Sequence, residues 1–387
     1  MHFIDRIQKL KSQFSYDREI SLEDSPLDIR HFLFVQEIGE NEIVRNQQGI
    51  PPTEFCSLLD NNIVENSRFT YPVFIPKGVI KTDRAILLLH GLNEHTWEKY
   101  LPWAERLAYR TGRAVILFPI AFHMNRTPSN WYNPRAILPY VHIRKQKFIE
   151  MNNTTFVNVA ISSRISDNPG RFYISGRESF FNLWQLIKEI KNGQHPLFKE
   201  NTSVNLFAYS IGAFLSQVLF LANPEQLVSD SKLFMFCGGS IFSRMDGNAR
   251  DIMDKESFQK LRKYLLIDFL RKDRAVLGLP PAENEDFMEK AFKSMLSVSQ
   301  HRGFRESFFI KAKDRIRAVT LKKDTVIPTL GVKEALGENC AGSMVKELDF
   351  PYEYNHQVPF PVHNRVSPET VHQCFAALFD EAADFIG

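Results

Sequence analysis

The stretch NTSVNLFAYSIGAFLSQVLFLANP, Asn201 to Pro224, places a serine between two small residues, Ala208 and Gly212, where the hydrophobic periodicity changes. Upstream, Val204, Leu206 and Ala208 alternate with Asn205, Phe207 and Tyr209 in a short, mostly apolar run, the pattern of a buried strand in a parallel sheet. Downstream, Phe214, Leu215, Val218, Leu219 and Leu221 recur at helical spacings, and Asn223 and Pro224 close the run. Ser210 therefore occupies a strand-to-helix turn. Such a reversal brings backbones close together, so the flanking positions must be small, and the segment reads as a G-x-S-x-G nucleophile elbow with Ala208 in the first glycine position. The hydroxyl then projects from the carboxyl end of the sheet, and the amide of Ile211 lies at a helix N-terminus, where it can hold developing negative charge. The competing reading of Ser210 is an ordinary helix N-cap, which predicts no chemical partners elsewhere in the chain.

Composition narrows the setting in which this serine works. The 387 residues are 44% hydrophobic and 24% charged, as in a globular protein long enough for one large domain with insertions or for two domains. A net charge of +3, from 48 basic and 45 acidic residues, is too small for a nucleic-acid footprint. The 33 phenylalanines favour large aromatic cores or an apolar cleft, although a biased genome composition accounts for them better. The N-terminal MHFIDRIQKLKSQFSYDREI lacks the apolar core of a secretory signal, and no apolar run is long enough to span a bilayer. Cys56, Cys237, Cys340 and Cys374 lack C-x-x-C spacing and read as reduced thiols of a cytoplasmic protein.

Strands and helices alternate around the elbow. RHFLFVQEI and SRFTYPVFIPKG read as an antiparallel edge, DRAILLLHG as a buried strand leading to a His-Gly turn, and RAVILFPIAFH as another buried strand. Residues 124–176 read as an irregular excursion over the active edge of the sheet. RESFFNLWQLIKEIKNG is a helix leading into the elbow, and SKLFMFCGG a strand after it. Two charged helical stretches, DKESFQKLRKYLLIDFL and NEDFMEKAFKSMLSV, are joined by GLPPAENE and read as an inserted lid, apolar toward the cleft. DRIRAVTLKKDTVIP, MVKELDFPYEYNH and SPETVHQCFAALFDEAADFI then give strand, strand and a final helix with Ser367 as N-cap and Pro368 in its first turn.

This alternation, with a nucleophile elbow in its middle, resembles the α/β-hydrolase superfamily from about residue 84 to the C-terminus, the two insertions excepted. The resemblance implies an α/β fold with a mostly parallel central sheet flanked by helices. It divides the chain into an N-terminal extension with edge strands (1–80), a first part of the core (81–242) with the excursion near 124–176, a helical lid (243–314) and the last part of the core (315–387). It also implies a chain order of nucleophile, acid and histidine. Asp324, in the loop after the strand Ile316 to Leu321, matches the acid, with Asp246 as the alternative. His356, in the loop after the next strand, matches the histidine; His363 stands closer to the final helix and is the alternative, while His372 falls inside that helix. The His90-Gly91 turn matches the oxyanion loop, so that the amides of Leu92 and Ile211 would face the nucleophile, with His90 structural.

The activity implied is that of a carboxylesterase-like serine hydrolase acting on a small-molecule acyl substrate through an acyl-enzyme, with no cofactor. An inactive binding protein on the same fold is the alternative; Ala208 in place of glycine leans that way. His90, Glu94 and His95 lie close in sequence, but their spacing differs from H-E-x-x-H and no third ligand follows, which argues against a metal. His123, Arg126, Trp131 and Arg135 cluster past the carboxyl end of a strand, where α/β sheets bind ligands. An ion-paired loop accounts for them better than substrate binding. Substrate identity and oligomeric state have no signature in the sequence.

Overall fold

A computed structural model describes residues 2–37, 63–150, 153–270, 285–363 and 365–387. Cys56, the tip of the edge loop and most of the GLPPAENE linker lie outside these residues. Among the described residues nine strands form one sheet: β1 (Ile20–Ser21), β2 (Leu27–Val35), β3 (Arg68–Pro76), β4 (Thr82–Leu89), β5 (Ala114–Leu117), β6 (Phe198–Tyr209), β7 (Leu233–Phe236), β8 (Ile316–Leu321) and β9 (Val345–Leu348). Their order is β1-β2-β3-β5-β4-β6-β7-β8-β9. The pairs from β1 to β3 and onto β5 are antiparallel, and every pairing from β5 to β9 is parallel.

The carboxyl-terminal parts of β4 and β6, and all of β7, are buried and almost wholly apolar because both faces of the sheet are covered there. Leu87, Leu89, Leu206, Ala208 and Met235 pack on one face with Phe180, Leu183 and Leu186 of the helix Gly170–Lys191 and with the helix Ile211–Ala222. Their neighbours Leu88, Phe207, Tyr209 and Phe236 pack on the other, against Trp103 and Leu107 of the helix Leu101–Thr111 and Phe375 and Phe379 of the helix Pro368–Ile386. The period-two alternation of side chains thus sorts each strand between two cores. This is the α/β-hydrolase fold. The final helix begins as its sequence requires, with Ser367 Oγ accepting the Thr370 amide.

Residues 124–176 are not the irregular excursion their composition predicts. They hold the helices Pro134–Lys147 and Val159–Asp167 and the start of Gly170–Lys191. Polar side chains mask the helical stripe there because their partners lie far off in sequence. Arg144 is buried, and its Nη2 donates to Asp254 Oδ1 (2.8 Å) and Glu256 Oε2 (2.7 Å) at the start of the helix Lys255–Lys263. No described helix is long and apolar enough to cross a membrane.

Candidate active site

Ser210 follows β6 directly, with φ 55° and ψ −120°, a backbone region that L residues avoid and that a sharp strand-to-helix turn imposes. The crowding foreseen at Gly212 is real: a Cβ there would stand 2.8 Å from the His90 carbonyl oxygen and 2.8 Å from Leu89 Cβ. Ala208 fits because its methyl group lies within β6 and joins the core.

Three side chains from separate loops meet at this turn. Ser210 Oγ lies 2.7 Å from His356 Nε2, and His356 Nδ1 lies 2.7 Å from Asp324 Oδ2. The other carboxylate oxygen, Asp324 Oδ1, accepts the amides of Val326 and Ile327, each at 2.9 Å. Both oxygens of the acid are thereby fixed, and the imidazole can present only its Nε2 lone pair to the serine hydroxyl. His356 and Asp324 are 3% and 4% exposed, so little water competes for these bonds.

The alternatives for these roles lie elsewhere. His363 is exposed. Asp246 is exposed too, and its Oδ1 accepts the Asn248 amide. His372 sits in the final helix.

Sequence reasoning missed the groups that hold the histidine loop. The Tyr209 hydroxyl donates to the His356 carbonyl, and its ring stacks on the imidazole at 5.5 Å and 19°. Tyr354 accepts the Lys323 amide at 3.2 Å, which joins the histidine loop to the acid loop. Gly238 was also missed: a Cβ on it would stand 2.9 Å from both the nitrogen and the oxygen of Ser210. The adjacent glycines of FCGGS were its only trace in the sequence.

His90 is structural. Its Nδ1 donates to Gly91 O (2.8 Å) and its Nε2 accepts the Ile120 amide (2.9 Å), bracing the turn after β4 against the one after β5. Burial holds its pKa well below the ordinary histidine value, which keeps the ring neutral in both roles. The Gly91 amide donates to the Tyr100 hydroxyl at 2.9 Å. The next amide, that of Leu92, and the amide of Ile211 have no hydrogen-bond acceptor among the described residues. Leu92, Ser210 and Ile211 line one cavity lobe of ≈ 410 Å³, completed by apolar side chains such as Phe242, Met253 and Phe258.

Among the described residues no cluster of His, Cys, Asp and Glu could hold a metal ion. Arg126 is fully buried, and its guanidinium is spent on the carbonyls of Asn66 and Pro119 and on Asn182 Oδ1. Arg135, by contrast, is exposed on the first turn of its helix. Cys237, Cys340 and Cys374 are free thiols.

Comparison with solved structures gives distant likenesses. Carboxyl esterase 2 from the mycorrhizal fungus Tuber melanosporum is 8% identical, with a TM-score of 0.46 over 99% of this chain and 98% of that one. A thermostable esterase from Pseudomonas putida is 10% identical, with a TM-score of 0.43 over 99% and 90%. A bacterial heroin esterase is 11% identical, with a TM-score of 0.46 over 99% and 89%. The fold assignment rests on the sheet order and the strained serine turn described above. No curated protein matches the chain. One family does, over residues 1–387, and the chain therefore belongs to DUF6051, a family of unknown function.

Proposed function

We propose that the protein is a serine hydrolase that cleaves an ester-like acyl bond through a covalent acyl-enzyme. The observation that carries this reading is the unbroken relay of two 2.7 Å contacts from Ser210 through His356 to Asp324, built on a strained turn. In the first step His356 Nε2 takes the hydroxyl proton as Ser210 Oγ attacks the carbonyl carbon. The carbonyl π electrons move onto oxygen, where the amides of Leu92 and Ile211 donate to the oxyanion; one such donor is worth ~3 kcal/mol of barrier. Asp324 stabilises the imidazolium through Nδ1–H. Collapse of the tetrahedral intermediate expels the alcohol, which leaves with the proton from Nε2. Water then attacks the acyl-serine with His356 again as base, and the acid departs as Ser210 regains its proton. No cofactor enters the cycle.

The apolar wall beside Ser210 favours an aliphatic or aromatic acyl group over a charged one. A fluorophosphonate probe tests the reading. The folded protein should be labelled covalently, and Ser210→Ala should abolish labelling together with hydrolysis of p-nitrophenyl butyrate. Labelling that survives in Ser210→Ala would place the nucleophile elsewhere.

A further inference from the structure

The cavity beside Ser210 opens into two further lobes, and all three share Leu92 and Phe172. One of them, past Trp131, is lined by Arg164 and Arg171, whose charge a hydrocarbon would have to desolvate. The other, of ≈ 490 Å³, runs past Ile211, and among the described residues no charged side chain lines it. Phe214 and Val218 of the helix after Ser210 form one wall, Met288 and Phe292 of the helix Phe287–Ser294 another, and Gly176 of the helix Gly170–Lys191 a third. Its polar members are engaged within their own segments: the Ser175 hydroxyl donates to Phe172 O at 3.2 Å and His123 Nδ1 to Ala121 O at 2.9 Å, while His123 Nε2 is enclosed by protein. Phe172, Gly176 and Ile211 are half-buried and present their surface to whatever enters.

Gly176 is the residue in this wall that the fold does not require. It lies inside a 22-residue helix, where glycine is destabilising relative to alanine. Its φ is not positive, so no left-handed turn calls for it. No neighbour calls for it either: a Cβ built there meets no heavy atom of the described residues within 4 Å, whereas at Gly212 and Gly238 it would stand under 3 Å from backbone. Gly303 and Gly342 are helical glycines with open space around them too, but neither lines any of the three lobes. What the missing side chain leaves at position 176 is room inside the lobe.

We propose that Gly176 keeps this lobe open for the hydrocarbon chain of the acyl group, so that the substrate class is an ester of an unbranched fatty acid longer than butyric acid. The carbonyl sets the direction of the chain. The amides that receive its oxygen belong to Leu92 and Ile211, and both residues line the Ser210 lobe and this one, so the carbonyl of a bound ester sits where the two meet. The alcohol must leave beside His356 Nε2, which protonates it. Val326 and Ile327, whose amides hold the Asp324 carboxylate behind His356, line the Ser210 lobe and not this one. The alcohol therefore departs on that side, and the acyl chain runs from the wall beside Ser210 past Ile211 toward Gly176. Each methylene moved from water onto such walls is worth about four-fold in affinity. The direction of the chain rests on the hydrolase reading of Ser210; the affinity of the lobe for a chain can be measured without turnover.

The test fills the lobe at its open wall. Wild-type protein should prefer p-nitrophenyl octanoate to p-nitrophenyl butyrate in kcat/KM by about ten-fold or more, and Gly176→Leu should lower that ratio by about ten-fold. Gly176→Ala, which gains helix propensity and meets no neighbour, should melt at or above the wild-type temperature and lower the ratio less. Gly176→Val serves as the larger plug should the leucine disturb folding. Octyl and butyl acetate carry the chain on the alcohol, and their ratio should hold in every variant. An unchanged octanoate-to-butyrate ratio in a plugged variant that still hydrolyses butyrate, or a shift confined to the acetates, would overturn the proposal. Methyl octanoate and methyl butyrate, titrated into Ser210→Ala protein with and without Gly176→Leu and followed by ligand-observed NMR, keep the two readings apart. A chain-length preference in binding that Gly176→Leu removes, in a protein whose wild type never labels with fluorophosphonate, supports the lobe and sinks the hydrolase reading. Labelling at Ser210 with no chain-length preference sinks the lobe assignment alone.

Discussion

Gly238→Ala separates the geometry of the serine turn from the stability of the fold. The added Cβ would stand 2.5 Å from Ala213 Cβ and 2.9 Å from Ser210 N and O. Ordinary contact begins at 3.4 Å, so the atoms must part by 0.9 Å at Ala213 and 0.5 Å at Ser210. All three belong to the turn or the first helical residues after it, and none is the end of a flexible side chain that could swing aside. Overpacking of this kind costs about 1–3 kcal/mol. With an unfolding entropy of ~2.1 cal/mol/K per residue over the whole chain, that lowers Tm by only ~1–4 °C. Misplacing a reacting group by ~1 Å costs a reaction about 10²-fold. Gly238→Ala should therefore melt within a few degrees of the wild type while its fluorophosphonate labelling rate and its kcat/KM for p-nitrophenyl butyrate fall about a hundred-fold. A variant labelled at the wild-type rate would show that Gly238 does not set the position of Ser210, and the crowding argument would fail.

Three further outcomes follow from the same geometry. Tyr209→Phe removes the donor to the His356 carbonyl but keeps the ring, so kcat should fall about ten-fold with KM nearly unchanged, read from steady-state kinetics on one ester. His356→Ala should abolish turnover and His363→Ala should leave it at the wild-type value; the reverse result would move the base to the exposed loop. Stability should decline as pH falls from about 6.5 toward 4, because His90, His123 and His195 are held neutral in the folded protein by burial, His123 and His195 with pKa values of about 4, while the unfolded chain takes up protons at the ordinary value of 6.5. Each contributes a slope of about 1.4 kcal/mol per pH unit in that window, so denaturant midpoints of His123→Phe should fall less steeply with acid than those of the wild type.

What the sequence disclosed and what it hid divide along the range of the interactions involved. The turn at Ser210 was legible because a change from strand to helix periodicity is local, and so were β7 and the apolar ends of β4 and β6, whose runs follow from burial on both faces of a parallel sheet. Asp324 and His356 were proposed from the resemblance, which supplied the chain order that local pattern lacks. The helices within 124–176 escaped notice because their buried faces carry Arg144, Arg164 and Arg171, residues that read as solvent-facing until their partners are in place. Asn93 is similar: its side-chain amide donates to the Val157 and Asp251 carbonyls, each at 3.0 Å, tying the loop after β4 to two segments that sequence proximity does not connect.

Those long-range ties also explain how loops from four strands can hold one side-chain geometry. The turns that carry Ser210, Asp324 and Leu92 all leave the carboxyl ends of parallel strands, so the sheet fixes where they start but not how their tips lean toward one another. The tips are joined directly. Glu94 accepts from the Tyr100 hydroxyl at 2.9 Å, Tyr100 accepts the Gly91 amide, and Lys99 pairs with Glu94 while its ammonium lies 4.5 Å from the Tyr209 ring centroid. Tyr209 in turn holds the His356 carbonyl. The loop that carries the Leu92 amide and the loop that carries His356 are thus linked through one chain of contacts beneath Ser210. A change at Lys99 or Glu94, neither of which touches the relay, would loosen both loops together, and the double change Tyr209→Phe with Glu94→Gln should therefore cost less than the sum of its parts. Strict additivity in kcat/KM would mean that the two loops are positioned independently by the sheet alone.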